Sequence, residues 1–197
     1  MAKQKVSISE LYDVTAKILL EKGYAGFHFK LVSDQLNVSR STIYEYFSNK
    51  DELITSLMVH LMEKILAEYE GLDAVPEPMG KLRVMFDSFM KYTEIHQILH
   101  IAPLVNAEAS ENVKQYLATL REQHLTLTRM LTDIIAACKE SGSIRKDVPS
   151  SLVAGLLFQA IQLPNREKLP EAAWNSLIFD VLLDGFRGIG GHNIATT

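Results

Sequence analysis

Hydroxyl, phenol and cationic side chains are concentrated in one short segment of the chain, between Val38 and Lys50. Arg40 offers a fork of N–H donors, and Ser41 and Thr42 beside it can both donate and accept hydrogen bonds. Side chains of these types match the donors and acceptors that base edges present in the major groove of DNA, where arginine pairs with guanine. The segment therefore indicates recognition by hydrogen bonds rather than covalent catalysis.

The same segment is predicted to form a helix of seven or eight residues. Ser39 can cap its start, because a serine oxygen accepts from the first free backbone N–H groups. Ile43 and Phe47 lie one turn apart and form its inward face. Since so short a helix is marginal by itself, a scaffold must hold it with its polar face outward.

That scaffold is predicted to begin with a second short helix, from Phe29 to Leu36. Asn37 follows and tolerates the left-handed conformation that a tight turn between helices requires. Two short helices joined by such a turn make a helix-turn-helix, whose second helix enters the major groove. Residues at the start of that second helix are the predicted base contacts, namely Arg40, Ser41 and Thr42.

Phosphate contacts are predicted around the same helix. Lys50 opens the next helix, where its charge opposes the positive end of the helix dipole, a placement that a phosphate would justify. Simpler interpretations stay open for Tyr44, which could be a packing residue, and for Arg40, which could be only solvated. The predicted phosphate contacts are Lys30, Ser39, Tyr44, Tyr46 and Lys50.

The bulk composition limits the class of protein. Of 197 residues, 47% are hydrophobic, which is enough for a folded core, and the net charge of -4 argues against a strongly basic nucleic-acid coat. Residues 1–50 nevertheless carry seven Lys and Arg against five Asp and Glu. The single Cys138 excludes an internal disulfide framework and a cysteine-based zinc finger. We find no signal-peptide pattern and no membrane-spanning run, so a cytoplasmic location without membrane association is expected.

Apolar residues recur at three- and four-residue steps along most of the chain, which predicts an all-α protein of about nine helices. The expected organisation is an N-terminal three-helix helix-turn-helix domain at residues 1–49 and a C-terminal helical ligand-binding and dimerisation domain at residues 50–197. A helix at 50–70 connects the two. Beyond the helices already named, the predicted helices are 8–22, 80–101, 112–140, 149–163 and 170–186.

Residues 8–58 resemble the DNA-binding domain of TetR-family transcriptional regulators. The matching segments are Glu21-Lys22-Gly23-Tyr24, Val32-Ser33, Leu36-Asn37-Val38-Ser39, Thr42-Ile43-Tyr44-Glu45-Tyr46-Phe47 and Asn49-Lys50-Asp51-Glu52-Leu53. The family usually has a serine or threonine that caps the second helix, whereas this chain has Phe27-His28 there. The resemblance implies a dimer formed by the last two long helices and an effector pocket in the helical body.

Polar residues interrupt the inward faces of two body helices. In the long helix 112–140 an apolar seam at four- and three-residue steps contains His124, and in helix 80–101 the inward positions become polar toward the end. These groups either find hydrogen-bond partners in the core or line a ligand cavity with apolar and methionine neighbours. His96 and His100 could pair on a metal, but no acidic partner shares their face, so no metal or cofactor is expected. The candidate pocket comprises Met58, Met62, Phe86, Phe89, Tyr92, Thr93, His96, His100 and His124.

The last two predicted helices are apolar nearly all round, which is more surface than a terminal helix pair can bury within one chain. Two such pairs would form a four-helix interface with two-fold symmetry. The candidate interface comprises Leu152, Leu156, Ala160, Trp174, Ile178, Val181 and Leu182.

These features predict a ligand-responsive repressor that binds a palindromic operator in double-stranded DNA as a homodimer, with a small, partly apolar effector. The alternative is a helical ligand-binding or scaffold protein whose N-terminal domain does not bind DNA. An enzyme is not expected, because the chain has no phosphate-binding loop, dinucleotide loop, HExxH motif or plausible nucleophile–histidine site.

Overall fold

The computed structural model describes residues 6–186. In that range the chain forms nine α-helices and no strand, which confirms the predicted all-α class. No helix among the described residues is long and apolar enough to cross a lipid bilayer. The helices are α1 Ile8–Gly26, α2 Phe29–Leu36, α3 Arg40–Tyr44, α4 Lys50–Ala67, α5 Pro78–Lys91, α6 Thr93–Leu99, α7 Glu111–Glu140, α8 Ser150–Ala160 and α9 Glu171–Phe186.

The chain divides into two compact units. The first unit comprises Met1–Leu66 and Glu94–Leu125, and the second comprises Ala67–Thr93 and Thr126–Thr197. The first unit thus contains the segment predicted to bind DNA, and the second contains the helices predicted to dimerise. The functional division between residues 49 and 50 stays a prediction.

Capping and one glycine set the limits of α1. Ser7 accepts from the N–H of Glu10, and the Glu10 carboxylate accepts from Ser7 in return, which makes a capping box. At Gly23 the backbone leaves helical geometry, with φ 65° and ψ 179°. Only glycine adopts that conformation without strain, so the regular helix ends at residue 22, where the predicted helix 8–22 ends.

The predicted helix 80–101 is wrong as a single element, because the chain breaks between α5 and α6 at Tyr92, where φ is -103° and ψ 33°. The Thr93 hydroxyl donates to the carbonyl of Met90 at 2.8 Å. A side-chain hydroxyl that donates to a backbone carbonyl competes with the helical backbone hydrogen bonds. No proline or glycine at this position predicts the break. The inward face predicted along helix 80–101 therefore does not continue past Tyr92.

Two of the histidines predicted to face the core, His100 and His124, are exposed. Exposure is favourable for both side chains, because an imidazole that reaches water avoids the cost of desolvation. His96 is half-buried, and burial, together with the charge of His100, lowers its pKa to about 4. His96 is therefore neutral at physiological pH.

Aromatic packing forms the core of the second unit. The rings of Phe89 and Phe158 stack at 4.8 Å, and those of Phe86 and Phe179 meet at 5.1 Å. These contacts join α5 to α8 and to α9, so the last two helices are anchored on one side by their own chain.

Candidate nucleic-acid interface

Two capping interactions position α3 behind α2. Asn37 ends α2 in the left-handed conformation, with φ 53° and ψ 44°, as predicted. Ser39 then caps α3 by accepting from the backbone N–H of Thr42 at 3.3 Å. A left-handed residue followed by a serine cap turns the chain sharply, so that α3 begins at a defined angle to α2.

The third helix is shorter than predicted. It spans five residues, Arg40–Tyr44, rather than seven or eight. The N–H groups of Tyr46 and Phe47 both donate to the carbonyl of Ile43, at 3.0 and 3.1 Å, so the last turn tightens and the helix ends there. Ile43 and Phe47 are buried as predicted and fix the inner face of this segment.

At the start of α3, Arg40 and Ser41 are exposed. Thr42 is buried, and its hydroxyl lies 3.0 Å from that of Ser39. The Thr42 hydroxyl thus helps to hold the start of α3 in place, and its predicted role as a base contact stays a prediction. The side chains that this end of α3 exposes to solvent are Arg40 and Ser41, and the hydroxyl of the exposed Ser39 lies 2.6 Å from that of Ser41.

The two tyrosines that follow have different surroundings. The ring of Tyr44 packs edge-on against Phe29 at 5.0 Å, yet the residue remains 57% exposed. The hydroxyl of Tyr46 donates to the backbone carbonyl of Val6 at 2.5 Å. This hydrogen bond joins the segment after α3 to Val6, two residues before α1, and the predicted phosphate contact of Tyr46 stays a prediction.

Lys50 is held at the start of α4 by neutral groups. Its Nζ donates to the carbonyl of Tyr24 at 3.3 Å and lies 3.9 Å from the centre of the Tyr24 ring. Burial and a 2.7 Å hydrogen bond to Asp51 raise the pKa of Tyr24 to about 12, so its phenol stays neutral. The carbonyl and the ring face fix the ammonium without cancelling its charge, an arrangement suited to a phosphate contact.

The start of α2 lacks a side-chain cap, as the sequence predicts. His28 occupies the N-cap position without a capping hydrogen bond, and its Nδ1 pairs instead with the carbonyl of Gly26 at 2.9 Å. Lys30, in the first turn of α2, is exposed. This end therefore offers a cation for a phosphate but no hydroxyl.

Replacing His28 with serine is expected to raise the free energy of unfolding by roughly 0.5–1 kcal/mol, because a hydroxyl would satisfy a free N–H at the start of α2. Urea unfolding followed by circular dichroism measures the effect. His28→Ala is the matched control and should give no gain. Equal stability of the serine and alanine variants would contradict the expected cap.

Asn49 caps α4, because its Oδ1 accepts from the N–H of Glu52 at 2.9 Å. The role of Glu52 itself was not predicted from the sequence. The Glu52 side chain is only 5% exposed and accepts from Ser48 and Asn112. The capping-box spacing from Asn49 to Glu52 is the signal that could have identified it.

An apolar face is exposed on the last two helices of the second unit. Leu152, Leu156, Leu177 and Val181 are 50%, 37%, 48% and 63% exposed. Trp174 and Leu182 are partly exposed. Ala160 and Ile178 belong instead to the chain's own core, where they are buried, and Leu177 was missing from the predicted set.

The residues predicted to line an effector pocket are distributed over both units. Met58 and Met62 are buried in the first unit, and Phe86 and Phe89 are buried in the second. Tyr92 and Thr93 are partly exposed. Their role in ligand binding stays a prediction.

A cavity of about 350 Å³ lies within the second unit. Its wall combines apolar side chains with Tyr69, Lys81 and two carboxylates, and the lining residues are Tyr69, Leu72, Asp73, Pro76, Pro78, Lys81, Met130, Asp133, Ile134 and Ala137. Lys81 pairs with the exposed Asp73 at 3.5 Å. No group of three or more side chains suited to a metal ion occurs among the described residues.

The sequence is similar to those of known bacterial regulators. Residues 11–57 match the family model "Bacterial regulatory proteins, tetR family". The chain is 22% identical over 155 residues to the HTH-type transcriptional regulator UidR of Escherichia coli K12, covering 76% of this chain and 75% of UidR. It is 20% identical over 194 residues to the fatty acid metabolism regulator protein of Bacillus subtilis, covering 94% and 98%.

The whole fold is also shared with solved regulators. The ketosteroid transcriptional regulator KstR2 of Mycobacterium tuberculosis matches with a TM-score of 0.76 and 15% identity, covering 94% of this chain and 97% of that one. The regulator FadR of Bacillus subtilis, solved with stearoyl-CoA, matches with a TM-score of 0.66 and 20% identity, covering 92% and 100%. Residues 11–57 therefore match the tetR family of bacterial regulatory proteins, and the chain as a whole shares its fold with these solved regulators.

Proposed function

We propose that the chain is a ligand-responsive repressor that binds a palindromic operator as a homodimer. The observation that carries this proposal is α3, a short capped helix that exposes Arg40 and Ser41 at its start. In helix-turn-helix docking this end of the recognition helix meets the base edges. A palindrome has two half-sites, and one chain has a single recognition helix, so two chains must bind together. The exposed apolar face of α8 and α9 is the surface through which they would associate.

The first experiment is binding to a duplex that covers the promoter of the protein's own gene. We expect affinity to fall on the order of 100-fold between about 50 and 200 mM salt, because Lys30 and Lys50 of both chains in a dimer would release counterions from phosphates. Fluorescence anisotropy at several salt concentrations measures the slope. Binding that does not depend on salt, or no binding to any promoter fragment tested, would contradict the proposal.

We further propose that the effector contains a long apolar part, such as the acyl chain of an acyl-CoA. The Bacillus subtilis matches support this class by their descriptions, since one is a fatty acid metabolism regulator and the FadR structure from the same organism was solved with stearoyl-CoA. The cavity of the second unit is consistent with it, since its 350 Å³ lies within the range of small-molecule sites and Lys81 could pair with a phosphate or carboxylate. A ligand that prefers one conformation of the body would shift the population toward it and so change DNA binding.

Stearoyl-CoA should release the protein from the promoter duplex, whereas coenzyme A alone should not. The difference is expected because only the acyl form buries an apolar chain. Titration of each compound into the protein–DNA complex, followed by anisotropy, compares them. Equal release by both compounds, or release by neither, would contradict an acyl effector.

A further inference from the structure

A buried carboxylate joins the turn after the recognition helix to the start of α7. Glu52 Oε2 accepts from the backbone N–H of Ser48 at 3.3 Å and also from the Ser48 hydroxyl. Its other oxygen, Oε1, accepts from Asn112 Nδ2 at 2.7 Å. Each oxygen of one carboxylate therefore binds a different part of the first unit.

Neighbouring groups reinforce the same connection. Asn49 Nδ2 lies 3.5 Å from the carbonyl of Ala109, in the segment before α7. Ser110 caps α7 by accepting from the N–H of Val113 at 3.3 Å. The carboxylate thus lies at the start of a 30-residue helix, where the helix dipole favours a negative charge.

The charge of Glu52 is stabilised in place despite its burial. Burial by itself raises the pKa of the carboxyl, but hydrogen bonds from Ser48 and Asn112 outweigh it and leave the pKa below its usual value. An ionised buried carboxylate is costly once it loses a partner. The preferred arrangement is therefore the one in which Ser48 and Asn112 are both bound.

We propose that Glu52 and Asn112 are positioning residues for DNA binding. Together with Ser48 they form a clasp that holds the turn after α3 against the start of α7, so that a displacement at the start of α7 reaches the segment that follows the recognition helix. Ser48 lies four residues beyond Tyr44, the last residue of α3, so a shift of its backbone is passed to that helix through this short turn. The proposal rests on the proposed function only in requiring that the chain bind DNA.

The test is a double-mutant cycle with Glu52→Ala and Asn112→Ala. The DNA probe is a duplex recovered by selecting a randomised library on the wild-type protein. Asn112 is exposed, so its alanine variant should fold, and urea unfolding checks this for every variant. Two matched controls remove similar groups nearby on α7, namely the exposed Glu111→Ala and Gln115→Ala.

Asn112→Ala should weaken DNA binding about 10-fold, the scale of one hydrogen bond to a charged group, with an unchanged salt slope because no phosphate contact is removed. The double variant should bind no more weakly than Glu52→Ala, and both controls should bind like wild type. Unchanged affinity of Asn112→Ala, or losses that simply add in the double variant, would overturn the clasp. Failure of the wild-type protein to select any duplex would instead overturn the proposed function.

Discussion

The Val181→Glu variant is expected to be a monomer and to bind operator DNA at least about 100-fold more weakly than the wild-type protein. Val181 is 63% exposed on α9, so a glutamate there should not disturb the fold of a single chain. In a dimer interface the same carboxylate would be buried without a partner, which costs several kcal/mol. Once the chains separate, each recognition helix binds its half-site alone and the effective concentration supplied by its twin is lost.

Light scattering on a sizing column gives the mass of this variant, and anisotropy gives its affinity for the selected duplex. Val84→Glu is the matched control, because Val84 is also an exposed valine, 41% accessible, but lies on α5. The control should remain dimeric and bind normally. A dimeric Val181→Glu protein with full affinity would show that α8 and α9 do not form the interface.

Arg40→Ala is expected to relax base preference strongly. A bidentate contact between arginine and guanine contributes roughly 1–3 kcal/mol of discrimination, and a dimer makes it twice. The exposed side chain at the start of α3 can be removed without loss of the cap, which is provided by Ser39. The variant should therefore fold normally and lose selectivity for the selected duplex over one with a substituted half-site.

Lys30→Ala is the control that separates recognition of bases from contact with phosphate. Lys30 is exposed in the first turn of α2 and is expected to contact only phosphate, so its loss should weaken binding to every duplex alike and reduce the salt slope by about one per contact. Measurements on both duplexes at several salt concentrations compare the two variants. Equal losses on both sequences for both variants would contradict the role assigned to Arg40.

Local signals predicted the region around α2 and α3 well. Asn37 and Ser39 each have a conformational or capping preference that acts over a few residues, and the structure has both where the sequence places them. The length of α3 was overestimated because its last turn is set by the carbonyl of Ile43, which accepts two N–H groups. No residue type in the sequence predicts that two N–H groups share this carbonyl.

Features that depend on packing between distant residues were predicted less well. The hydroxyl of Tyr46 bonds to Val6, 40 residues away, and Glu52 bonds to Asn112, 60 residues away. Periodicity gives the face of a helix but not its partner, which is why Ala160 and Ile178 were placed in an interface that their own chain buries. His124 shows the same limit, since it lies on an apolar seam and yet reaches solvent.

Selection of a randomised duplex library on the wild-type protein shows whether two chains read DNA together. If two copies of α3 read DNA as a symmetric dimer, the recovered sequences should contain an inverted repeat whose half-sites are centred about one helical turn, roughly 34–36 Å, or a multiple of it apart. Guanine should recur at the position that Arg40 reads, and the complex should contain an even number of chains per duplex. Enrichment of a single half-site bound by one chain, or no enrichment at all, would contradict the account.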